Sequence, residues 1–169
     1  MDCCEENIFE LTADIAMMKS QVVIKPILGD ILAKKHMDKI FNENRPQIIF
    51  HAAAYKHVPI QELHPWAAVN TNVGGSLNII ELAEKYRVEK FVLVSTDKAV
   101  NPVNVMGATK RLAERLIQTI NSDTKAEFLA VRFGNVIGSS GSAIPTFQKQ
   151  VNSGGPVTVT HPEISRYFM

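Results

Sequence analysis

Five short runs of apolar, mostly β-branched residues restrict this chain to a small set of folds. The middle three are almost continuously apolar, which is typical of strands covered on both faces in a parallel sheet. Segments with helical periodicity separate them, at residues 31–41, 65–86 and 104–120. This alternation predicts an α/β fold with a doubly wound, Rossmann-like parallel sheet. The five runs are QVVIKPIL (21–28), QIIFHAA (47–53), KFVLVST (90–96), EFLAVRF (127–133) and PVTVT (156–160).

Polar residues follow three of the predicted strands at the point where each strand ends, in the strings HAAAYKH, STDK and RFGN. Ligands of doubly wound sheets bind outside the carboxyl ends of the strands, so these strings predict one binding region. The helix over 104–120 is predicted to expose a charged outer face. Its members are Lys110, Arg111, Glu114 and Arg115, of which Lys110 could instead reach the strand ends.

Composition excludes several classes of protein. The chain is 46% apolar and 21% charged with a net charge of +1, so we expect no nucleic acid partner. No apolar run is long enough to span a bilayer, and we expect a cytoplasmic protein with no membrane contact within this chain. Cys3 and Cys4 are adjacent, which excludes a disulfide framework, and His51 and His57 lack a nearby acidic partner. We therefore expect no metal site.

Both ends of the chain favour a larger protein. A dinucleotide-binding fold normally opens with a strand and a Gly-rich turn that binds the pyrophosphate, and neither precedes Cys3. We expect a partial dinucleotide-binding domain over residues 1–136, lacking that first strand and Gly-rich loop. The start of a substrate-binding region is expected over 137–169, with most of that lobe absent. Asp2 lies where a ribose-binding acid would end a second strand.

Several long motifs, taken together, resemble one enzyme family. They are FHAAAYKHVP, NTNVGGSLNIIELA, FVLVSTDKAVNPVNVMGATKRLAE, AVRFGNVIGSSGSAIPTF and GGPVTVTHPEISRYFM. The chain resembles the UDP-N-acetylglucosamine 4,6-dehydratases of bacterial capsule and O-antigen biosynthesis, within the extended short-chain dehydrogenase/reductase superfamily. The resemblance runs from about residue 50 to the end and more weakly from Asp2. It implies an NAD-dependent lyase that makes a 4-keto-6-deoxy sugar for polysaccharide biosynthesis.

The resemblance also implies the catalytic residues. The superfamily normally carries Tyr four residues before its lysine, and here Met106 precedes Lys110. Many members of this branch carry Met there, which places the acid–base chemistry on Asp97 and Lys98. Lys98 would be the base at C5 and needs a lowered pKa; Asp97 would be the acid at the C6 hydroxyl and needs a raised pKa. Thr96 would bond the C4 oxygen. A surface ion pair at a turn is the alternative for Asp97 and Lys98.

Cofactor and substrate contacts follow from the same resemblance. Lys110 would bond the nicotinamide ribose of NAD, Asp30 and Ile31 would lie against the adenine, and Asp30 could equally be a helix N-cap. Three small residues would let the cofactor approach: Ala52, Ala53 and Ala54. The residues implied for the UDP-sugar are Lys56, His57, Asn135 and Arg166, with the GSSGS segment (138–142) as a substrate loop or a linker.

Two other interpretations stay open. The chain could be a truncated, inactive fragment of such an enzyme, or a related UDP-sugar epimerase. The STDK string argues against the epimerase, because C4 epimerisation needs no acid for a C6 leaving group. In the superfamily, the helices matching 65–86 and 104–120 often form a dimer bundle, so we expect a homo-oligomer. A longer form anchored at the inner face of the cell membrane also stays open.

Overall fold

The computed structural model describes residues 1–18, 21–120, 126–137, 143–159, 161–163, 165 and 167–169. The chain divides into two compact units, Met1–Val131 and Arg132–Met169. No helix among these residues is both long and apolar enough to cross a membrane.

The first unit alternates helices with strands, as predicted. Its helices are α1 (Glu5–Met17), α2 (Lys34–Asn44), α3 (Val58–Leu63), α4 (Pro65–Ala68), α5 (Ser76–Lys85) and α6 (Val105–Thr119). Its strands are β1 (Ile48–His51), β2 (Lys90–Thr96) and β3 (Glu127–Phe133), the last of which runs across the boundary between the units. A 3-10 turn, Asp97–Ala99, follows β2.

The strands form one sheet in the order β1-β2-β3. β1 and β2 pair in parallel, with Ile49 opposite Phe91 and His51 opposite Leu93. Parallel pairing brings the carboxyl ends of β1 and β2 to one edge, which is where the polar strings begin. The α/β, Rossmann-like fold class is confirmed.

The core lies on the face of the sheet that carries Phe91 and Leu93. Both are fully buried, and Phe91 packs against the ring of Phe128 with centroids 5.4 Å apart. Helices α2, α5 and α6 complete this core with Met37, Phe41, Ile79, Ile80, Leu82, Ala83, Ala113 and Ile117. Ile48 and Phe50 of β1 point the other way and are exposed.

Two of the five predicted strands do not form. Residues 21–28 are irregular except for a parallel bridge between Asp2 and Leu28, and residues 156–159 are irregular as well. The bridge rests on two hydrogen bonds, from the Asp2 N–H to Ile27 and from the Gly29 N–H to Asp2. A strand needs a neighbour along its length to satisfy its backbone groups, and Asp2 is a neighbour at one point. An apolar, β-branched run is therefore not sufficient to make a strand.

The helix predicted over residues 65–86 forms, but its centre is π-helical. The segment Val69–Gly75 connects α4 to α5 without a break in direction, because the residues at both junctions keep right-handed helical dihedral angles. π-helical turns are rare and occur frequently at functional sites. This π-helical segment contains a buried asparagine, Asn72.

The second unit contains α7 (Ala143–Asn152). Asn135 forms a parallel bridge with Phe168. The Asn135 N–H donates to the Tyr167 carbonyl, and the Met169 N–H donates to the Asn135 carbonyl. These bonds tie the start of the unit to its end.

Candidate active site

The turn after β2 gathers three of the predicted catalytic residues. Thr96 Oγ1 donates to Asp97 Oδ1 at 2.8 Å, and Lys98 Nζ donates to the same oxygen at 3.0 Å. The backbone N–H of Lys98 also donates to Asp97 Oδ1, at 2.9 Å. Adjacent side chains on a strand would point to opposite faces, whereas the 3-10 turn lets Asp97 and Lys98 form a direct ion pair.

The ionisation of Asp97 differs from the expectation. Burial raises the pKa of this carboxyl, but hydrogen bonds from Lys98 and Thr96, together with the charge of Lys98, lower it by more. The pKa of Asp97 therefore lies below its usual range in the substrate-free protein. The sequence-based requirement for a protonated Asp97 is not met by this arrangement alone.

Helix α6 approaches the turn unusually closely at Gly107. A Cβ atom on Gly107 would lie 2.5 Å from the carbonyl oxygen of Lys98. Asn104 caps the helix by accepting the Gly107 N–H at 2.8 Å, and the Glu62 carboxylate accepts the Val105 N–H at 2.6 Å. Helix N-termini leave backbone donors without partners, and these two side chains supply the acceptors.

Lys110 is buried, and the prediction that it belongs to a charged outer face is wrong. Its side chain reaches from α6 to β2, where Nζ donates to the Val94 carbonyl at 2.8 Å. Burial lowers the pKa of Lys110 to about 8, and the nearby charge of Glu114 opposes that shift. Helical periodicity alone did not distinguish the exposed Arg115 from Lys110.

Glu114 is also buried, against the same prediction. Its Oε1 accepts the Ser95 hydroxyl at 2.6 Å, and its Oε2 accepts from Arg111 at 3.2 Å. Only 1% of Glu114 is exposed. A carboxylate at this depth requires charged and hydrogen-bonding partners, which Arg111 and Ser95 provide.

Met106 is buried in the first turn of α6, one turn before Lys110. Its carbonyl oxygen accepts the hydroxyl of Thr109. A thioether carries no exchangeable proton, so this position cannot serve as an acid or a base.

Asn72 connects the π-helical segment to the loop after β1. Its Oδ1 accepts the Tyr55 N–H at 2.8 Å, and its Nδ2 donates to the Tyr55 carbonyl at 3.1 Å and to Thr109 Oγ1 at 3.0 Å. One buried amide thus fixes a loop on one side and α6 on the other.

A second buried chain of hydrogen bonds starts at His51, the last residue of β1. Its Nε2 lies 2.9 Å from Ser76 Oγ, and that hydroxyl donates to the Asn72 carbonyl at 2.6 Å. Because Ser76 uses its proton on Asn72, it accepts a proton from His51 Nε2–H. Burial, together with the charge of Lys110, lowers the pKa of His51 to about 4.

Two residues implied for the cofactor, Asp2 and Asp30, lie at and two residues after the parallel bridge between Asp2 and Leu28. Asp2 Oδ1 accepts the Cys4 N–H, and Asp30 Oδ1 accepts the Leu32 N–H. The N-cap interpretation of Asp30 is wrong, because α2 begins at Lys34 with Ala33 as its N-cap. Ile31 is buried against Gly75, where a Cβ atom would lie 2.4 Å from Ile31 Cδ1.

Three small residues follow β1, of which Ala52 and Ala53 are exposed and Ala54 is half-buried. Lys56 and His57 are exposed in the loop that leads to α3. In the second unit, Asn135 Nδ2 donates to the Tyr167 carbonyl at 3.3 Å. Arg166 and the GSSGS segment lie outside the described residues. The part of the chain that is described holds no cluster of three metal-ligating side chains.

Comparison with protein families matches all of residues 1–169 to the family described as polysaccharide biosynthesis protein. This chain belongs to that family. The family assignment confirms the sequence-based resemblance at the level of polysaccharide biosynthesis proteins of the extended short-chain dehydrogenase/reductase superfamily.

Two curated relatives illustrate the range of the family. The capsular polysaccharide biosynthesis protein CapD of Staphylococcus aureus is 49% identical over 98% of this chain and 28% of its own length. The UDP-glucose 4-epimerase of Rickettsia canadensis is 40% identical over 92% of this chain and 46% of its own length. The chain thus spans less than half the length of either relative.

Two solved structures share the fold. Pen from Bacillus thuringiensis superposes with a TM-score of 0.89 at 36% identity, covering 99% of this chain and 52% of Pen. The UDP-glucose 4-epimerase of Thermus thermophilus, solved in complex with NAD, superposes with a TM-score of 0.77 at 24% identity. That match covers 86% of this chain and 57% of the epimerase.

Sequence reasoning missed several residues of this candidate site. The helical periodicity of residues 65–86 gave no role to Asn72 or Ser76, and that of residues 104–120 gave none to Thr109. Polar residues four positions apart within an apolar stripe were the available signal, since a buried polar group needs a partner. Nothing in the sequence indicated that Gly107 meets the Lys98 carbonyl.

Proposed function

We propose that the chain is the catalytic segment of an NAD-dependent 4,6-dehydratase that converts UDP-N-acetylglucosamine to a 4-keto-6-deoxy sugar for polysaccharide biosynthesis. The observation that carries the proposal is the Asp97–Lys98 ion pair beside Thr96, at the carboxyl end of β2. An elimination needs a base and an acid close together, and this turn holds a candidate for each.

NAD, when bound, would accept hydride from C4 of the sugar and return it to C6. The chain fits such a cofactor in two respects. Asp2 and Asp30 present carboxylates at and just after the Asp2–Leu28 bridge, which suits the hydroxyl groups of a ribose and the amine of an adenine. Ala52 and Ala53 leave room for close approach after β1. Residues 1–136 are proposed as part of this NAD-binding domain, with 137–169 as the start of the substrate-binding region.

The ion pair also offers a route to the required protonation states. Transfer of one proton from Lys98 Nζ to Asp97 Oδ1, across 3.0 Å, produces a neutral amine and a carboxylic acid in one step. A substrate that covers the turn excludes water, which disfavours the two charges and favours the neutral pair. The C4 hydroxyl releases its proton to solvent when C4 is oxidised to the ketone. The amine then removes the C5 proton, and the acid protonates the departing C6 hydroxyl, which leaves as water. The Lys98 ammonium formed in that step returns a proton to C5 when C6 is reduced, and the Asp97–Lys98 pair regains one proton from solvent on product release.

The remaining residues take supporting roles in this proposal. Thr96 Oγ1 donates to the C4 oxygen in place of Asp97, and Lys110 contributes a fixed positive charge behind β2 and bonds the nicotinamide ribose. Met106 takes no proton. Lys56 and His57 contact the substrate or cofactor phosphates. By the family resemblance, Asn135 holds the diphosphate of the UDP-sugar and Arg166 binds a phosphate or the nucleotide.

A UDP-sugar 4-epimerase is the second candidate, favoured by the Rickettsia canadensis relative at 40% identity. An epimerase would need no acid at C6 and no proton abstraction at C5. The two reactions therefore differ in product mass, since dehydration removes one water and epimerisation changes nothing.

The test is incubation of the full natural protein with NAD and UDP-N-acetylglucosamine, followed by mass spectrometry of the sugar nucleotide. Loss of one water with incorporation of solvent deuterium at C5 supports the dehydratase. A product of unchanged mass with inverted C4 supports the epimerase, and an unchanged substrate contradicts both.

We also propose that the protein is a cytoplasmic homo-oligomer. Trp66, Val69 and Leu77 are exposed at helical spacing along α4, the π-helical segment and α5, and Leu112 is exposed on α6. This set of four residues is called the apolar helix surface below. Exposed apolar side chains that recur on packed helices favour association.

A further inference from the structure

Glu114 is the most deeply buried charged group in the described part of the first unit, and the proposed reaction does not use it. It is 1% exposed, whereas Lys110, one helical turn earlier, is 8% exposed. A buried carboxylate is seldom explained by its contribution to stability, because apolar replacements of such groups are often neutral or stabilising. Its position therefore favours a role in the site.

The geometry links Glu114 to Lys110 through β2. Lys110 Nζ donates to the carbonyl of Val94, and Glu114 Oε1 accepts the hydroxyl of the next residue, Ser95. Two side chains four positions apart on α6 thus hold consecutive residues of one strand. This double attachment sets the register of α6 against the end of β2, immediately before Thr96.

We propose that Glu114 is a positioning residue for Lys110: held by Ser95, its carboxylate is the buried counter-charge that keeps the Lys110 side chain an ammonium bonded to Val94. The consequence for catalysis rests on the role proposed above for Lys110. Ser95 is then a second positioning residue, because its hydroxyl orients the carboxylate.

The electrostatics agree with this assignment. Burial lowers the pKa of Lys110 to about 8, and Glu114 is the group that opposes the shift. Arg111, on the same helix, pairs with Glu114. From β1, His51 faces Lys110 with a pKa of about 4 and is neutral at neutral pH.

The charges beyond the end of β2 are already paired with each other, Lys98 with Asp97. Among the described residues, Glu114 is the negative group whose charge acts on Lys110, and its second carboxylate oxygen pairs with Arg111.

The test is an NMR titration of the full natural protein carrying ¹³C-labelled lysine, with Lys110→Met used to assign the Lys110 signal. Glu114→Gln keeps the size of the side chain and an acceptor for Ser95 but removes the charge. We expect the pKa of Lys110 to fall by about one unit. The matched control is Glu84→Gln, at an exposed position of α5, which should leave that titration unchanged. An unchanged Lys110 titration in Glu114→Gln would overturn the proposal.

A second variant covers the case in which Glu114→Gln does not fold. Glu114→Asp keeps the charge but shortens its reach, so the pKa of Lys110 should fall below its value in the unmodified protein. No shift in that variant would also overturn the proposal. The titration needs no turnover, so a lowered Lys110 pKa in a protein without dehydratase activity would count against the proposed function and leave this inference standing.

Discussion

The carbonyl oxygen of Lys98 lies 2.5 Å from the position that a Cβ atom on Gly107 would occupy. Backbone atoms cannot move aside as a flexible side chain can, so any larger residue must push α6 away from the turn. The contact thereby couples the start of α6 to the Asp97–Lys98 pair.

Gly107→Ala should therefore be destabilising despite the higher helix propensity of alanine. We expect a loss of about 1–3 kcal/mol in the free energy of unfolding, as for other overpacked sites, measured by urea denaturation. Gly74→Ala is the matched control, since its Cβ would have a nearest contact of 3.7 Å. Equal stability of the two variants would show that the turn can move away from a Cβ atom at position 107 without loss of stability.

Replacing Asn72 should separate the loop after β1 from α6. Asn72→Ala removes the partner of both backbone groups of Tyr55 and one partner of Thr109. We expect a loss of about 1–3 kcal/mol in the free energy of unfolding, the cost of leaving such groups unsatisfied. Asn70→Ala, exposed in the same π-helical segment, should change stability by less than about 0.5 kcal/mol. A similar loss in both would assign the effect to helix propensity instead.

His51 should make the protein sensitive to mild acid. Its folded pKa of about 4 lies below the ordinary 6.5, so the unfolded chain binds the proton more readily between these values. The stabilisation that neutral His51 contributes to the folded state is fully present above pH 6.5 and is lost as the pH falls toward 4. The free energy of unfolding should therefore fall by about 2 kcal/mol between pH 7 and 5.

Urea denaturation at several pH values measures this loss. His51→Gln keeps a donor for Ser76 and should flatten the dependence over that range, whereas the exposed His36→Gln should not. A slope that persists in His51→Gln would assign it to other groups.

Lys98 and Asp97 should affect different steps of the proposed reaction. Lys98→Met should remove exchange of the C5 proton with deuterated solvent, while Asp97→Asn should retain some exchange but slow the loss of water. Each should lower kcat by roughly 10²–10⁴-fold, the usual contribution of a general acid or base.

Mass spectrometry and ¹H NMR of the sugar nucleotide separate the two steps. Lys35→Met, exposed on α2, is the control. Full C5 exchange in Lys98→Met would exclude this lysine as the base.

The apolar helix surface should mediate self-association. Replacing both Trp66 and Leu77 with Glu places like charges in the proposed interface, and the sedimentation coefficient should fall to that of a monomer. Exposed positions outside this surface, such as Phe9→Glu on α1, should leave it unchanged. A monomeric unmodified protein would contradict the proposal directly.

The amino-acid sequence alone was enough to predict the alternation of helices and strands and the location of the polar strand ends. Apolar periodicity is a local property, so it located β1, β2 and β3 and the helices over 65–85 and 105–119. The order STDK directly after a strand also placed Thr96, Asp97 and Lys98 at one turn.

Tertiary structure decided which charged residues are buried and which predicted strands form. Lys110 and Glu114 share a helix with the exposed Arg115, and contact with Val94 and Ser95 determines that they face inward. Residues 21–28 have the composition of a strand but gain a partner only near Leu28. Strand pairing, burial and close backbone approach depend on residues that are distant in sequence, and a local pattern carries no information about those residues.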